Sequence, residues 1–410
     1  MRSLVIALLG MASVLAVQAK TITVCPSCPI PTIQKAIEQA HRGDEIIVKA
    51  GTYKESGLII TCPLVLRGEG MPVIDGQRLG EILIIAADSV TVTGLEFQNA
   101  GVSHISDLAA IRVKRHDYFM ISNNRVINAF FGIYIENGKH GTIKDNVLLG
   151  RANNEMDSGN AIHCWYADSL TITGNLVRRY RDGIYLEFVN NSIVADNLSE
   201  FNIRYGLHFM FSNDDAYTCN TFYDNGAGVA VMFSKNISMT ENLFAQNWGQ
   251  SSYGLLLKEI YDAEIRDNVF RKNTIGILLE GSTRLNYQYN TFERNGWAIQ
   301  ISGGCLDNHF TNNNFTNNSL DLVVNSRVNN NTFNGNYWGE YTGYDLDRDG
   351  LGDVPHRPMK LFSHILTVAP ESIILLRSFF VDLINFSEKV SPIFTPENVL
   401  DEAPLMQIVK

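Results

Sequence analysis

The most chemically specific feature of this 410-residue chain is a histidine followed two residues later by a methionine, with a second methionine one repeat further on. His208 and Met210 share the phrase Gly206-Leu207-His208-Phe209-Met210, and Met232 closes the matching phrase 22 residues later. One imidazole and two thioethers form a soft ligand set. Such a set suits Cu(I) and suits Mg²⁺ or Ca²⁺ poorly. His163 and Glu187 fall in adjoining rows and are expected as auxiliary groups around that ion. A protein-binding patch without metal is the alternative for the same stripe.

Other groups invite different chemistry. Asp345, Asp347, Asp349 and Asp353 alternate around Gly350 like the first half of an EF-hand-type calcium loop, with Leu351 offering a carbonyl. The closing position holds His356 rather than a glutamate, so either a structural Ca²⁺ or a metal-free aspartate-rich turn is expected. Cys25, Cys28 and Cys62 are expected to supply a structural disulfide near the N-terminus. A redox role for the C-x-x-C would need a thioredoxin-like context that is missing. His104, His116 and His140 lie in polar turns and read as surface residues.

A sugar-cleaving enzyme needs paired acids, or an acid with Arg or Lys, across a groove. Glu136, Glu187 and Glu280 take outward positions, and Arg178, Arg179, Arg181 and Arg204 sit near adjacent turns. Trp165 and Met210 separate the acids within their column, so no catalytic pair emerges. The expectation is a non-catalytic protein. The competing reading is a carbohydrate-active lyase, hydrolase or epimerase, or a carbohydrate-binding protein, by fold analogy.

The elements that must position these groups are read from a repeat. Asn124, Asn146, Asn175, Asn197, Asn220, Asn242, Asn268, Asn290 and Asn313 mostly step by 22 or 23 residues, with steps of 29 and 26 where coils lengthen. A fixed period of this size marks a solenoid. The phrases between are about five residues long, alternate apolar and variable positions, and are rich in Ile, Val, Leu, Tyr and Phe, as short strands are. Three such strands and their turns use up one period. The fold class is therefore all-β: a parallel β-helix, right-handed because parallel crossovers take that hand. Stacking sets coils ~4.8 Å apart. One outward column then reads Tyr134, His163, Tyr185, His208, Ala230, and its neighbour reads Glu136, Trp165, Glu187, Met210, Met232. Cys164 should point inward. The Arg151 to Asn160 insertion, with Met156, lengthens one coil beside these columns, either to gate a ligand or receive a chaperone, or as a plain surface loop.

Residues 1–19 read as a secretory signal: Arg2, an apolar run from Leu4 to Val17, and Val17-Gln18-Ala19 before the cleavage point. The competing reading is a single anchoring helix. An exported, periplasmic location follows, and disulfides are permitted there. Thr32 to Gln39 is expected as an amphipathic capping helix, with Ile33, Ala36 and Ile37 on one face. The β-helix is assigned to 20–362 and a helical tail to 363–410. In that tail Ile373, Ile374, Leu376, Phe379, Phe380, Leu383, Ile384 and Phe386 form an apolar surface interrupted by charges. Such a segment suits membrane or permease docking, or a cap on the last coil. A net charge of −10 without a basic run argues against a nucleic-acid partner.

Several of these segments together resemble the NosD family: the signal, the lid with Gly43 to Tyr53, the coils through Phe333, Asn336-Tyr337-Trp338 and the Asp345 to Asp353 loop. Coil motifs alone are shared with many carbohydrate-active β-helices. The Tyr-Trp segment and apolar tail make the resemblance more specific. It implies a periplasmic, membrane-associated factor for nitrous oxide reductase maturation in denitrification. Such a factor sits on an ABC transporter made of a permease and an ATPase, and receives copper from a lipoprotein chaperone.

Overall fold

A computed structural model describes residues 19–103, 105–156, 158–325, 330–376, 378–390 and 399–409. The expected leader and His104 lie outside the described residues, apart from Ala19. Alternating side chains make each coil a closed apolar ring. In Asp182–Glu187, Ile184 and Leu186 are buried inside while Tyr185 and Glu187 turn outward. Repetition of that pattern yields three parallel sheets of 14, 12 and 13 strands running along one axis. The interior is ordered like a crystal. Phe244, Phe270, Phe292, Phe315 and Trp338 stack ring on ring at 4.2–4.9 Å between centroids.

The recurring asparagines form the expected ladder. Each side-chain carbonyl accepts from the backbone N–H and Nδ2 of the asparagine one coil earlier, as Asn242 accepts from Asn220 at 2.9 and 3.0 Å. A second ladder runs through Asn202, Asn225, Asn247, Asn273, Asn295 and Asn318. Buried amides satisfied in this way each contribute about 1 kcal/mol and hold coil register against slippage.

Helix α1 (Ile33–Gln39) closes the N-terminal end and buries Ile33, Ala36 and Ile37, as its pattern predicted. The Thr32 side chain caps it, and Glu55 accepts from the N–H groups of Ile33 and Gln34. The disulfide joins Cys25 to Cys28, and Cys62 is a free thiol. Cys62 therefore leaves the disulfide set: its sulfur lies 3.7 Å from the Ala40 carbonyl and the bridge closes only a local turn. Burial of the α1 face, not a cross-link, holds the lid.

At the other end, α2 (Leu361–Val368) and α3 (Phe379–Val390) fold back onto the outside of the 12-stranded sheet, where Phe362, Leu366 and Val381 pack on Leu320 and Trp297. Residues 399–409 then return to the body. Asp401 is fully buried at the end of the last coil, and Val409 exchanges hydrogen bonds with the Asn314 side chain. The 363–410 tail is thus partly the closure of the β-helix, a pairing across more than 60 residues that local pattern does not display. No helix among the described residues is long and apolar enough to cross a membrane.

Candidate metal centre

The outer face of the 12-stranded sheet carries the soft ligands, on strands Tyr205–Met210 and Ala227–Met232. Parallel pairing gives the expected columns residue for residue: Tyr134 beside His163, Tyr185, His208 and Ala230, and Glu136 beside Trp165, Glu187, Met210 and Met232. Met210 and Met232 are direct register partners and half-buried. Met232 packs against an apolar patch of Ala227, Ala230, Tyr253 and Leu256 on the same outer face. Glu187 is the other neighbour of Met210, and its carboxylate accepts a long 3.3 Å bond from the Tyr185 hydroxyl.

His208 is outward but not open to solvent, being only 6 % exposed. Tyr185 meets its ring edge-on at 5.0 Å and Tyr205 covers it at 4.9 Å. Burial pushes its pKa down to about 4; Asp182 opposes that shift, and Arg204 and Arg181 add to it. The imidazole is therefore neutral at neutral pH. Neither ring nitrogen has a hydrogen-bond partner. A buried polar atom left unmet costs about 1–3 kcal/mol, and a neutral imidazole with a free lone pair is the form that binds metal. An imidazole and two register-paired thioethers on one wall are donors of the kind soft metal ions take.

Beside it lies a group that local pattern did not single out. Asp182, fully buried, receives the Arg204 Nε at 2.8 Å and a second guanidinium nitrogen, and its Oδ2 stands 4.0 Å from His208 Nδ1. Arg204 in turn lies over the Tyr205 ring at 4.9 Å. Register sets Asp182 beside Tyr205, and Arg204 stands one residue before that partner, so coil spacing alone does not reveal the pair.

The structure separates His163 from this group. Tyr185 stands between the two histidines in their column, stacked on the His163 ring at 4.7 Å. His163 Nδ1 pairs with Asn160 Nδ2 at 2.9 Å. Burial, with Arg181 and Arg112, pushes its pKa down to about 3. Two coils from His208, roughly 9–10 Å by strand spacing, it cannot share an ion with it.

Elsewhere, Asp345, Asp347 and Asp349 bring carboxylate oxygens within 4.8 Å of one another. Asp353 is not in that trio; its carboxylate accepts from the Leu346 N–H. His356 packs against Trp338 at 5.3 Å, and its backbone pairs with Asp401 instead of completing a loop of ligands. Among the outward acids, Glu136 is held with Glu81 by Arg112, and Glu280 pairs with Lys258. His116 pairs with Asp88 and His140 stacks on Tyr118, both at the surface. Cys164 points inward and is buried.

Residues 150–343 match the family model described as "Periplasmic copper-binding protein (NosD)", the stretch that carries the histidine and both methionines. The chain is similar to the NosD family. It is 29 % identical over 379 residues to the "Probable ABC transporter binding protein NosD" of Stutzerimonas stutzeri, covering 88 % of this chain and 86 % of that one. The Pseudomonas aeruginosa protein of the same description is 29 % identical over 378 residues, covering 88 % and 87 %. Residues 80–218 match a right-handed β-helix region, in keeping with the expected hand. Among solved structures, the A-module of the Azotobacter vinelandii mannuronan C-5 epimerase AlgE6 superposes with a TM-score of 0.55 at 15 % identity, over 74 % of this chain and 93 % of that module. At that identity the likeness is one of fold alone, and the epimerase chemistry does not transfer to this chain.

Proposed function

We propose that this protein is a non-catalytic periplasmic copper-delivery factor. It accepts Cu(I) from a lipoprotein chaperone and works with an ABC transporter of permease and ATPase. It hands the metal on for maturation of nitrous oxide reductase. The observation that carries the reading is the buried, neutral His208, both nitrogens unmet, beside the in-register pair Met210 and Met232. These three are the ligands, with Glu187 flanking Met210 and His163 set apart. The copper-binding description of the family supports the cargo, and the relatives' names support the transporter. Membrane association would run through α3. Phe379 and Phe386 there are 79 % and 65 % exposed, with Phe380 and Leu383 between them, an apolar face of the kind a permease or bilayer surface covers. The three converging carboxylates of Asp345, Asp347 and Asp349 favour a structural Ca²⁺ in addition.

Titration of the mature chain with Cu(I) against a chromophoric chelator tests the site. Wild type should hold one tight equivalent, and M210L/M232L should lose affinity by roughly 100-fold or more while keeping its fold. Unchanged affinity in the double variant removes this site.

A further inference from the structure

The corner that follows the methionine column has an unusual composition. In register along the stack it reads Arg115, Asn137, Tyr166, Phe188, Phe211, Phe233, Glu259 and Gly281. All of these positions have positive φ, between 50° and 59°. That left-handed conformation suits Gly and Asn and is unfavourable for a bulky side chain. Four consecutive coils nevertheless place aromatic rings there, and they are the coils that carry Trp165, Glu187, Met210 and Met232. Single aromatics take the same conformation elsewhere, as at Phe201, but here the run is unbroken.

The rings form one ridge. Tyr166, Phe188, Phe211 and Phe233 stack at 4.5, 5.0 and 5.1 Å, with interplanar angles of 9° to 17°. Tyr166, Phe211 and Phe233 are 47 %, 37 % and 42 % exposed. Beneath them the side chains of Asn190 and Asn213 accept from the next coil's backbone, while the Ser212 and Ser234 hydroxyls accept from the backbone of the coil before, so the ridge is rigid. Stacking consumes the ring faces within the ridge. What it presents outward is ring edges, which pack against apolar side chains, whereas a sugar needs a free face.

We propose that this ridge is the docking rail for the protein that exchanges Cu(I) with the His208–Met210–Met232 wall. The inference rests on the copper reading above. Phe211 and Phe233 directly follow the two methionines, so a protein that brings its own ligand up to their sulfurs must lie across these rings. The other flank is occupied: Tyr205 covers His208, and Arg204 lies over Tyr205. The partner is accordingly a copper-carrying protein with an apolar rim around its metal. A preformed rail lowers the ordering cost of a brief encounter.

The test is F188N/F211N, chosen because Asn already stands at this corner in the coil before the ridge begins, at Asn137, and tolerates the conformation. Its fold is checked by circular dichroism and thermal midpoint, with the single variant F211N as a milder form. Cu(I) transfer to each variant is followed from two sources, a small-molecule chelate and the Cu(I)-loaded soluble domain of the lipoprotein chaperone. Affinity measured from the chelate should equal wild type, while transfer from the chaperone should slow roughly tenfold or more. Equal transfer rates from the chaperone overturn the rail. Binding of an alginate oligosaccharide to wild type that the double variant loses overturns it in favour of a sugar platform. If wild type takes no Cu(I) from either source, the copper reading fails by itself. Chaperone binding to the metal-free chain, measured by calorimetry on wild type and variant, then still decides the rail.

Discussion

The Asp401 carboxylate ends the asparagine ladder by accepting from Asn336, with Oδ2 at 3.0 Å from its backbone nitrogen and 3.1 Å from its Nδ2. Each asparagine along the stack both accepts and donates, so the last one needs a partner that only accepts. Asp401 also takes the Trp338 indole N–H at 2.9 Å and the Gly335 and Ala403 backbone N–H groups. A carboxylate has the acceptor capacity for this convergence of donors; an amide does not.

Asp401→Asn should therefore destabilise the C-terminal coils, although it restores the residue type of the ladder. Its amide N–H₂ would face donors whichever way it turned. A loss of about 1–3 kcal/mol is expected, as for a buried donor left unmet. The urea midpoint measures it. A midpoint equal to wild type would show that the closure is held by other contacts.

The buried imidazole predicts an acid-sensitive window. Burial holds the folded pKa of His208 down to about 4, below the usual 6.5 of a free imidazole. Between those values the unfolded chain binds a proton that the native state refuses. Stability contributed by this group is complete above pH 6.5, falls as pH drops towards 4, and is level below that. The whole effect is roughly 3 kcal/mol at most by linkage. Recorded from pH 7 to pH 4, the thermal midpoint of wild type should fall relative to that of H208Q. Parallel curves would mean that His208 titrates normally.

Calcium chelation separates the two readings of the aspartate loop. Asp345 already accepts from the backbone N–H groups of Arg348, Asp349 and Gly350 at 2.6, 3.2 and 3.0 Å, so the turn has support without an ion. If Ca²⁺ is structural, EGTA should lower the thermal midpoint of wild type and leave D347N/D349N unaffected. An unchanged wild-type midpoint assigns the loop to hydrogen bonding alone.

Much of the candidate site was legible because a solenoid converts sequence spacing into distance. Met210 and Met232, 22 residues apart, had to become neighbours once the period was known, and His208 had to share a face with Met210. His163 stands apart because the Tyr185 ring fills the row between the two histidines. Burial of His208 was not legible either. It depends on Tyr205 and Arg204, whose side chains lean along the wall towards it, and a column drawn from the sequence carries no such direction.

The sequence by itself determined the coil, its ladders, the inward and outward faces and the lid, since each follows from local alternation and a fixed period. Tertiary structure alone decided the return of Asp401 to close the stack, the free state of Cys62, the Asp182–Arg204 pair behind His208 and the stacking of four aromatic rings at one corner. Those depend on contacts between residues with no periodic relation, or on side-chain rotamers selected by their neighbours. Neither is written in any single stretch of chain.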